Sequence, residues 1–369
     1  MVLPLKLDRR AEYRARRRSG LIVVLVSGMA AVTMAACGTA PAGRTVTLLP
    51  APGAKATTWQ WTGSCRLGPV APRGCASAGP HLGPAQLTGD AWNLGTSTTN
   101  PGSLDMAVDS RGAVTVEGHL PSAPPCTQST CIAPSANTWV RGYPSVLYGI
   151  NQCSARTSPP VSRRVGLPMR VGSIPPDLIG TTAYTARTPH ITYDIAYDMW
   201  LNHSDTKTPC TADGTLEVMV WTDYNEQALL PDNERVGTAS VPFVVDGTQH
   251  PGNGAWSVYV SNVFGNGHTQ PWGGTVWFVL DKADTVRSGT VGVDLSTVLS
   301  EVGTELQNAY GWKDFRSTYW LDTIPFGIEF GPESGALYGA GPSYFSLRLS
   351  SYCLGVGMTL SEPGCPGAP

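Results

Sequence analysis

Three short segments place carboxylates beside aromatic rings at strand spacing. In a strand, alternate side chains face opposite sides. In Leu216-Glu217-Val218-Met219-Val220-Trp221, the residues Leu216, Val218 and Val220 form one apolar face, and Glu217, Met219 and Trp221 share the other. In the run from Ile191 to Leu201, Ile191, Tyr193, Ile195, Tyr197, Met199 and Leu201 read as a core face. Thr192, Asp194, Ala196, Asp198 and Trp200 lie opposite them. In the run from Tyr319 to Pro332, Phe326, Ile328 and Phe330 face the core, with Gly327 and Glu329 on the other side.

This pattern suits chemistry on a sugar. A tryptophan ring packs on the apolar face of a pyranose, and a neighbouring carboxylate reaches the anomeric carbon. A glutamate in so apolar a run as 326–330 is desolvated, which raises its pKa and makes it a candidate general acid. Two carboxyls about 5–5.5 Å apart define a retaining glycosidase, one attacking while the other protonates the leaving oxygen. Each residue also has a plainer reading. Glu217 fits a surface position on a half-solvated strand, and Glu329 fits an edge strand facing water. Asp194 and Asp198 fit solvent-facing or turn-bonded acids, Asp194 better than Asp198. Glu117, Glu226, Glu234, Glu301, Glu305 and Glu333 compete for the roles, but none shares a strand face with a tryptophan as Glu217 does.

The elements that must hold these residues are mostly strands. Gly (42) and Pro (31) are abundant and charged residues make up only 14%, a profile of a turn-rich β protein. Apolar alternation marks strands at 57–62, 113–117, 257–260 and 275–279. Pro-Gly-Asn-Gly (251–254), Gly-Asn-Gly (265–267) and Ala-Asp-Gly (212–214) are turn signals. Thr222 to Thr238 reads as a long polar loop after the Glu217 strand. One segment is helical: Leu295, Val298, Leu299, Val302, Leu306 and Tyr310 recur at helix spacing, with Asp294 as N-cap and Gly311 as stop. The expected fold is all-β, a two-sheet sandwich carrying one main helix.

The ends carry export signals. Six arginines between Arg9 and Arg18 precede an apolar run from Gly20 to Ala36, which predicts a signal peptide over residues 1–36. Met34-Ala35-Ala36-Cys37 resembles a bacterial lipoprotein cleavage box, so two outcomes stay open. Either Cys37 is lipidated and attaches the protein to a membrane, or the chain is simply cleaved and secreted. Residues 37–56 read as a flexible tether, with a single domain over 57–369. Eight further cysteines, in an exported chain, predict up to four disulfides of open pairing, Cys365 tying down the C-terminal end. Seven Lys/Arg and two Asp/Glu fall within the first 37 residues, leaving 18 basic against 25 acidic residues. An acidic mature chain carries no electrostatic footprint for nucleic acid, and a neutral polysaccharide is a compatible partner.

Taken in order from about residue 85 to 352, the segments resemble glycoside hydrolase family 12, the endo-β-1,4-glucanases and xyloglucanases. Leu87 to Asn93 looks like the family's Asn-Asn-x-Trp region, with Gly89-Asp90 in place of the Asn pair. Gly142-Tyr143-Pro144-Ser145-Val146 and Tyr197-Asp198-Met199-Trp200-Leu201 look like two of its strands. Glu217-Val218-Met219-Val220-Trp221 matches its Glu-x-Met-x-Trp motif and Gly327-Ile328-Glu329 its Gly-Phe-Glu motif, with Ile328 for the usual Phe. The resemblance implies a β-jelly roll of two antiparallel sheets with a concave cleft. It implies Glu217 as nucleophile, Glu329 as acid/base and Asp198 assisting. Trp92, Asn93, Trp200, Met219 and Trp221 would bind a β-1,4-glucan. It implies no metal or organic cofactor, and a monomer. Alternatives on such a sandwich are a xyloglucan-specific enzyme, a xylanase, a transglycosylase or a glucan-binding lectin-like protein.

Overall fold

Strand-period apolar residues recur from residue 44 to residue 356, and the strands they form arrange in two sheets. The computed structural model describes residues 44–62 (without 52 and 54), 78–91, 94, 102–120, 140–150, 165–203 (without 190), 215–225, 235–260, 274–332, 342–358, 360 and 365. In chain order the strands are β1 (Arg44–Leu49), β2 (Thr57–Thr62), β3 (Ala78–Leu82), β4 (Ala85–Thr88), β5 (Ser103–Val108), β6 (Val114–Leu120) and β7 (Ser145–Gly149). There follow β8 (Met169–Arg170), β9 (Leu178–Arg187), β10 (Ile191–Asn202), β11 (Leu216–Tyr224), β12 (Arg235–Ala239), β13 (Phe243–Val245) and β14 (Thr248–His250). The last are β15 (Trp256–Val260), β16 (Thr275–Leu280), β17 (Ser288–Asp294), β18 (Trp320–Pro332) and β19 (Ser343–Val356). Helix α1 (Leu295–Tyr310) and the short α2 (Phe315–Thr318) lie between β17 and β18.

The first sheet runs β14-β13-β17-β9-β19-β6-β5-β2, with β1 added on β19. The second runs β12-β15-β16-β11-β10-β18-β7-β4-β3, with β8 added on β18. The pairings among these strands are antiparallel except one: β11 and β16 run parallel. The expectation of wholly antiparallel sheets therefore needs that correction. A parallel neighbour cannot be reached by a tight hairpin, and here the chain returns through β12 to β15 before forming β16.

The two faces of the second sheet separate as the alternation predicts. Leu216, Val218, Val220, Tyr193, Ile195, Tyr197, Phe326, Ile328 and Phe330 enter the main core with Val116, Leu347 and Tyr352 of the first sheet. Fully burying one such side chain contributes about 1.5–3 kcal/mol. On the other face Ala196, Met219, Trp221, Tyr259 and Trp277 form a second, smaller apolar cluster. Helix α1 begins where expected: the Asp294 carboxylate accepts the Thr297 N–H at 3.0 Å, and Gly311 ends it at φ 73°. Its apolar stripe, Leu295 to Leu306, is buried.

Three expectations change. Residues 37–56 are not simply a tether, because β1 pairs with β19, Arg44 opposite Val356 and Thr47 opposite Cys353, and buries Leu48 and Leu49. Its Thr-Val-Thr-Leu alternation was a strand signal diluted by the Ala, Gly and Pro around it. The stretch 222–238 is not one loop: β11 continues to Tyr224 and β12 starts at Arg235. Thr222 and Asp223 are buried there, each bonded within the fold. Of the cysteines, Cys353 and Cys365 form a disulfide with Cα atoms 5.6 Å apart, so the C-terminal end is fastened to β19. The other seven, the lipidation candidate Cys37 among them, lie outside the described residues, as do the signal segment and the turns at 212–214 and 265–267. Residues 41–369 form one compact unit.

Candidate active site

Strand β10 is the spine of the site, flanked by β11 on one side and β18 on the other. Across β10–β11, Trp200 stands opposite Glu217 and Asp198 opposite Met219. Across β10–β18, Asp194 stands opposite Glu329 and Ala196 opposite Gly327. All these side chains occupy the face away from the first sheet, because their neighbours in sequence fill the core. Four carboxyl groups thus share one face of three adjacent strands. Asp194 and Asp198 are buried (0% and 5% exposed), while Glu217 and Glu329 are half-buried and keep access to solvent.

Gly327 explains how Glu329 is held. A Cβ at Gly327 would lie 2.3 Å from Pro144 O and 2.6 Å from Ser145 Cβ. The close approach marked by this glycine is therefore that of β7 and the segment before it, which fixes the height of β18 under Glu329. The Tyr143 hydroxyl, from that same segment, donates to Ala196 O at 2.8 Å and ties it to the spine.

Each glutamate has a distinct polar setting. Thr275 on β16 lies opposite Glu217 in the parallel pairing, and its hydroxyl donates to Glu217 Oε2 at 2.7 Å. Burial pushes the Glu217 carboxyl up to about 7, and hydrogen bonds with Thr275 and Asp198 hold it from rising further. Asp198 accepts the Trp200 indole N–H at 2.9 Å. Its carboxyl is raised well above the ordinary range by burial and then by the charge of Glu217, against the lowering effect of Trp200. Glu329 is also raised well above the ordinary range, first by burial, then by the charges of Asp194 and Glu217. Asp194 is raised by burial, against the lowering effect of the Glu329 carboxyl across the strand pair.

Sequence reasoning brought Glu217, Asp198, Trp200 and Glu329 to one face, and the register assembles them there. Met219 and Trp221 lie on that face too, but at 2% and 1% exposed they are packed beneath it against Tyr259 and Trp277. As placed, they offer no open ring face or thioether to a sugar. Trp92 and Asn93 lie outside the described residues. Asp194 is the correction: it is neither solvent-facing nor turn-bonded but buried against Glu329. Reasoning from sequence also missed Thr275, whose strand was legible but whose parallel pairing was not. Asp90, half-buried with φ 30°, is a second addition. Burial raises its carboxyl to about 6, and its charge acts on Glu217, Asp198 and Glu329.

Two stacked sheets in a β-jelly roll, with paired carboxyls on an outer face, belong to the class of all-β glycoside hydrolases. The family model described as glycosyl hydrolase family 12 matches residues 109–338, which include β10, β11 and Glu329 of β18. The chain belongs to glycosyl hydrolase family 12. A search of curated proteins finds no match. Among solved structures, a family 12 xyloglucanase from Bacillus licheniformis in complex with ligand is 14% identical, with a TM-score of 0.51, covering 82% of this chain and 99% of its own. The native form of a family 12 xyloglucanase from the same organism is also 14% identical, with a TM-score of 0.50, covering 80% and 99%. At these identities the likeness concerns the fold.

Proposed function

We propose that this glycoside hydrolase is a retaining endo-β-1,4-glucanase in which Glu217 is the nucleophile and Glu329 the acid/base. The observation that carries the reading is the different polar setting of two half-buried glutamates on one face. A hydroxyl donor at 2.7 Å favours the ionised form of Glu217, whereas burial and the charges of Asp194 and Glu217 favour the protonated form of Glu329. A double displacement needs that division of labour. In the first step the Glu217 carboxylate attacks the anomeric carbon as the C1–O bond breaks, and the Glu329 proton passes to the departing oxygen. In the second, water attacks C1 and gives its proton to Glu329, and Glu217 leaves as carboxylate. Asp198, bonded to Glu217 and fixed by Trp200, orients the nucleophile. Trp200, half-buried at the Glu217 level, is the described candidate for stacking on a sugar ring.

The test is reducing-sugar release from carboxymethylcellulose, mixed-linkage β-glucan, xyloglucan and xylan, with Glu217→Ala beside the parent. Release by the parent from a β-1,4-glucan, with a loss of about a thousandfold or more in the variant, is the expected result. Release from xylan alone would overturn the substrate class. Glucan retention by a folded parent without release from any of the four would make this a binding protein.

A further inference from the structure

A fully buried carboxyl and a half-buried one that face each other do not readily carry two charges. Asp194 and Glu329 are direct cross-strand partners in the β10–β18 ladder, where opposing Cβ atoms lie roughly 4.5–5.5 Å apart. Asp194 is fully buried, and among the described residues no N–H or hydroxyl group donates to either of its oxygens. A buried carboxylate without donors is costly, so something must supply a proton. What Asp194 meets is the carboxyl of Glu329.

We propose, resting on the reading of Glu329 as acid/base, that Asp194 is a positioning residue that holds the catalytic proton on Glu329 by accepting a carboxyl–carboxylate hydrogen bond from it. Glu329 is the donor and Asp194 the acceptor, so the pair carries one proton at working pH. The bond turns the protonated oxygen of Glu329 into a fixed orientation. It also sets the strength of the group in both half-reactions. Before the first step the nearby negative charge keeps Glu329 protonated. After the proton has gone to the leaving oxygen, two carboxylates face each other, Asp194 fully buried. Glu329 is then a strong base for the incoming water, and the proton taken from that water restores the bond.

The surroundings fit a proton held by electrostatics. Asp198 on the same strand, Glu217 on β11 and Asp90 after β4 all add negative charge, and each favours the protonated pair. Tyr143, from the segment before β7, is kept neutral by burial and by Asp198, Asp194 and Glu329, with its hydroxyl committed to Ala196 O. Arg141, whose backbone N–H donates to Phe330 O, brings a buried cation to this end of β18 and donates to Val140 O at 3.4 Å.

Asp194→Asn removes the charge and presents an N–H to Glu329, favouring its ionised form. The basic limb of kcat/KM on a β-glucan should move down by about one pH unit or more, with KM changed less than about threefold. Aryl cellobiosides with activated leaving groups need no proton on the departing oxygen, so their glycosylation rate should fall far less than glucan cleavage. An unmoved limb and equal losses on both substrates would overturn the proposal. Independently of turnover, carboxyl carbon-13 NMR of the unsubstituted protein should show Asp194 and Glu329 titrating as one coupled pair, with Glu329→Gln giving the assignment. Two separate titrations at ordinary carboxyl values would overturn it whether or not Asp194→Asn folds. A parent that cleaves no glucan but shows the coupled pair would instead sink the functional reading and leave the shared proton standing.

Discussion

At the scale of residues, the site is a problem in distributing protons among carboxyls that burial would rather keep neutral. Thr275 biases that distribution towards an ionised Glu217. Thr275→Val removes the donor, which raises the Glu217 pKa. The acidic limb of kcat/KM should therefore move up by about one pH unit, the size of a lost hydrogen bond to a charged group. Stability reports the same physics. Glu217 sits near 7 in the fold against 4.5 when free, so between those values the folded chain holds a proton that the unfolded chain has released. Stability must then fall as pH rises through that window. Glu217→Gln cannot ionise, and a series of Tm values across pH 4.5 to 7 should decline less steeply for the variant than for the parent. Glu217 and Glu329 were legible because each interrupts an apolar alternation beside a tryptophan or a glycine. Asp194 was not, because an acid on a strand face becomes a partner or a bystander according to register, and register is set between strands.

At the scale of elements, β10 was readable in full: six alternating apolar residues specified its core face, and all six are buried. Helix α1 was readable down to its caps, since both depend on neighbours in sequence. β1 and the β11–β16 pairing were not, because one signal was short and the other depends on where a distant strand returns. The same dependence governs Gly327. Gly327→Ala would drive a methyl into Pro144 O and Ser145, so β7 and β18 must part. Overpacking of this kind costs about 1–3 kcal/mol and lowers Tm by roughly 1–4 °C in a unit of this length. Because Glu329 lies two residues away, activity should fall further than stability explains. Thermal melts and kcat measured on the same preparation test both parts.

At the scale of the molecule, the two-sheet sandwich followed from composition and alternation. Its boundary did not. A chain begun at residue 57 lacks β1 and with it the burial of Val46, Leu48 and Leu49. At about 1.5–3 kcal/mol for each fully buried side chain, that chain should melt roughly 6–13 °C below one begun at residue 41, or aggregate through the bared β19. Differential scanning calorimetry of the two distinguishes this from a dispensable tether, for which the melting points would coincide.

The pairing of β1 with β19, where Arg44 faces Val356, also brings the first and last described strands together in the first sheet, while the four carboxyls occupy the far side of the second. A long polymer bound along that face meets the layer that does not hold β1 and β19, so a reporter placed on either of those two strands would follow unfolding without touching the substrate side.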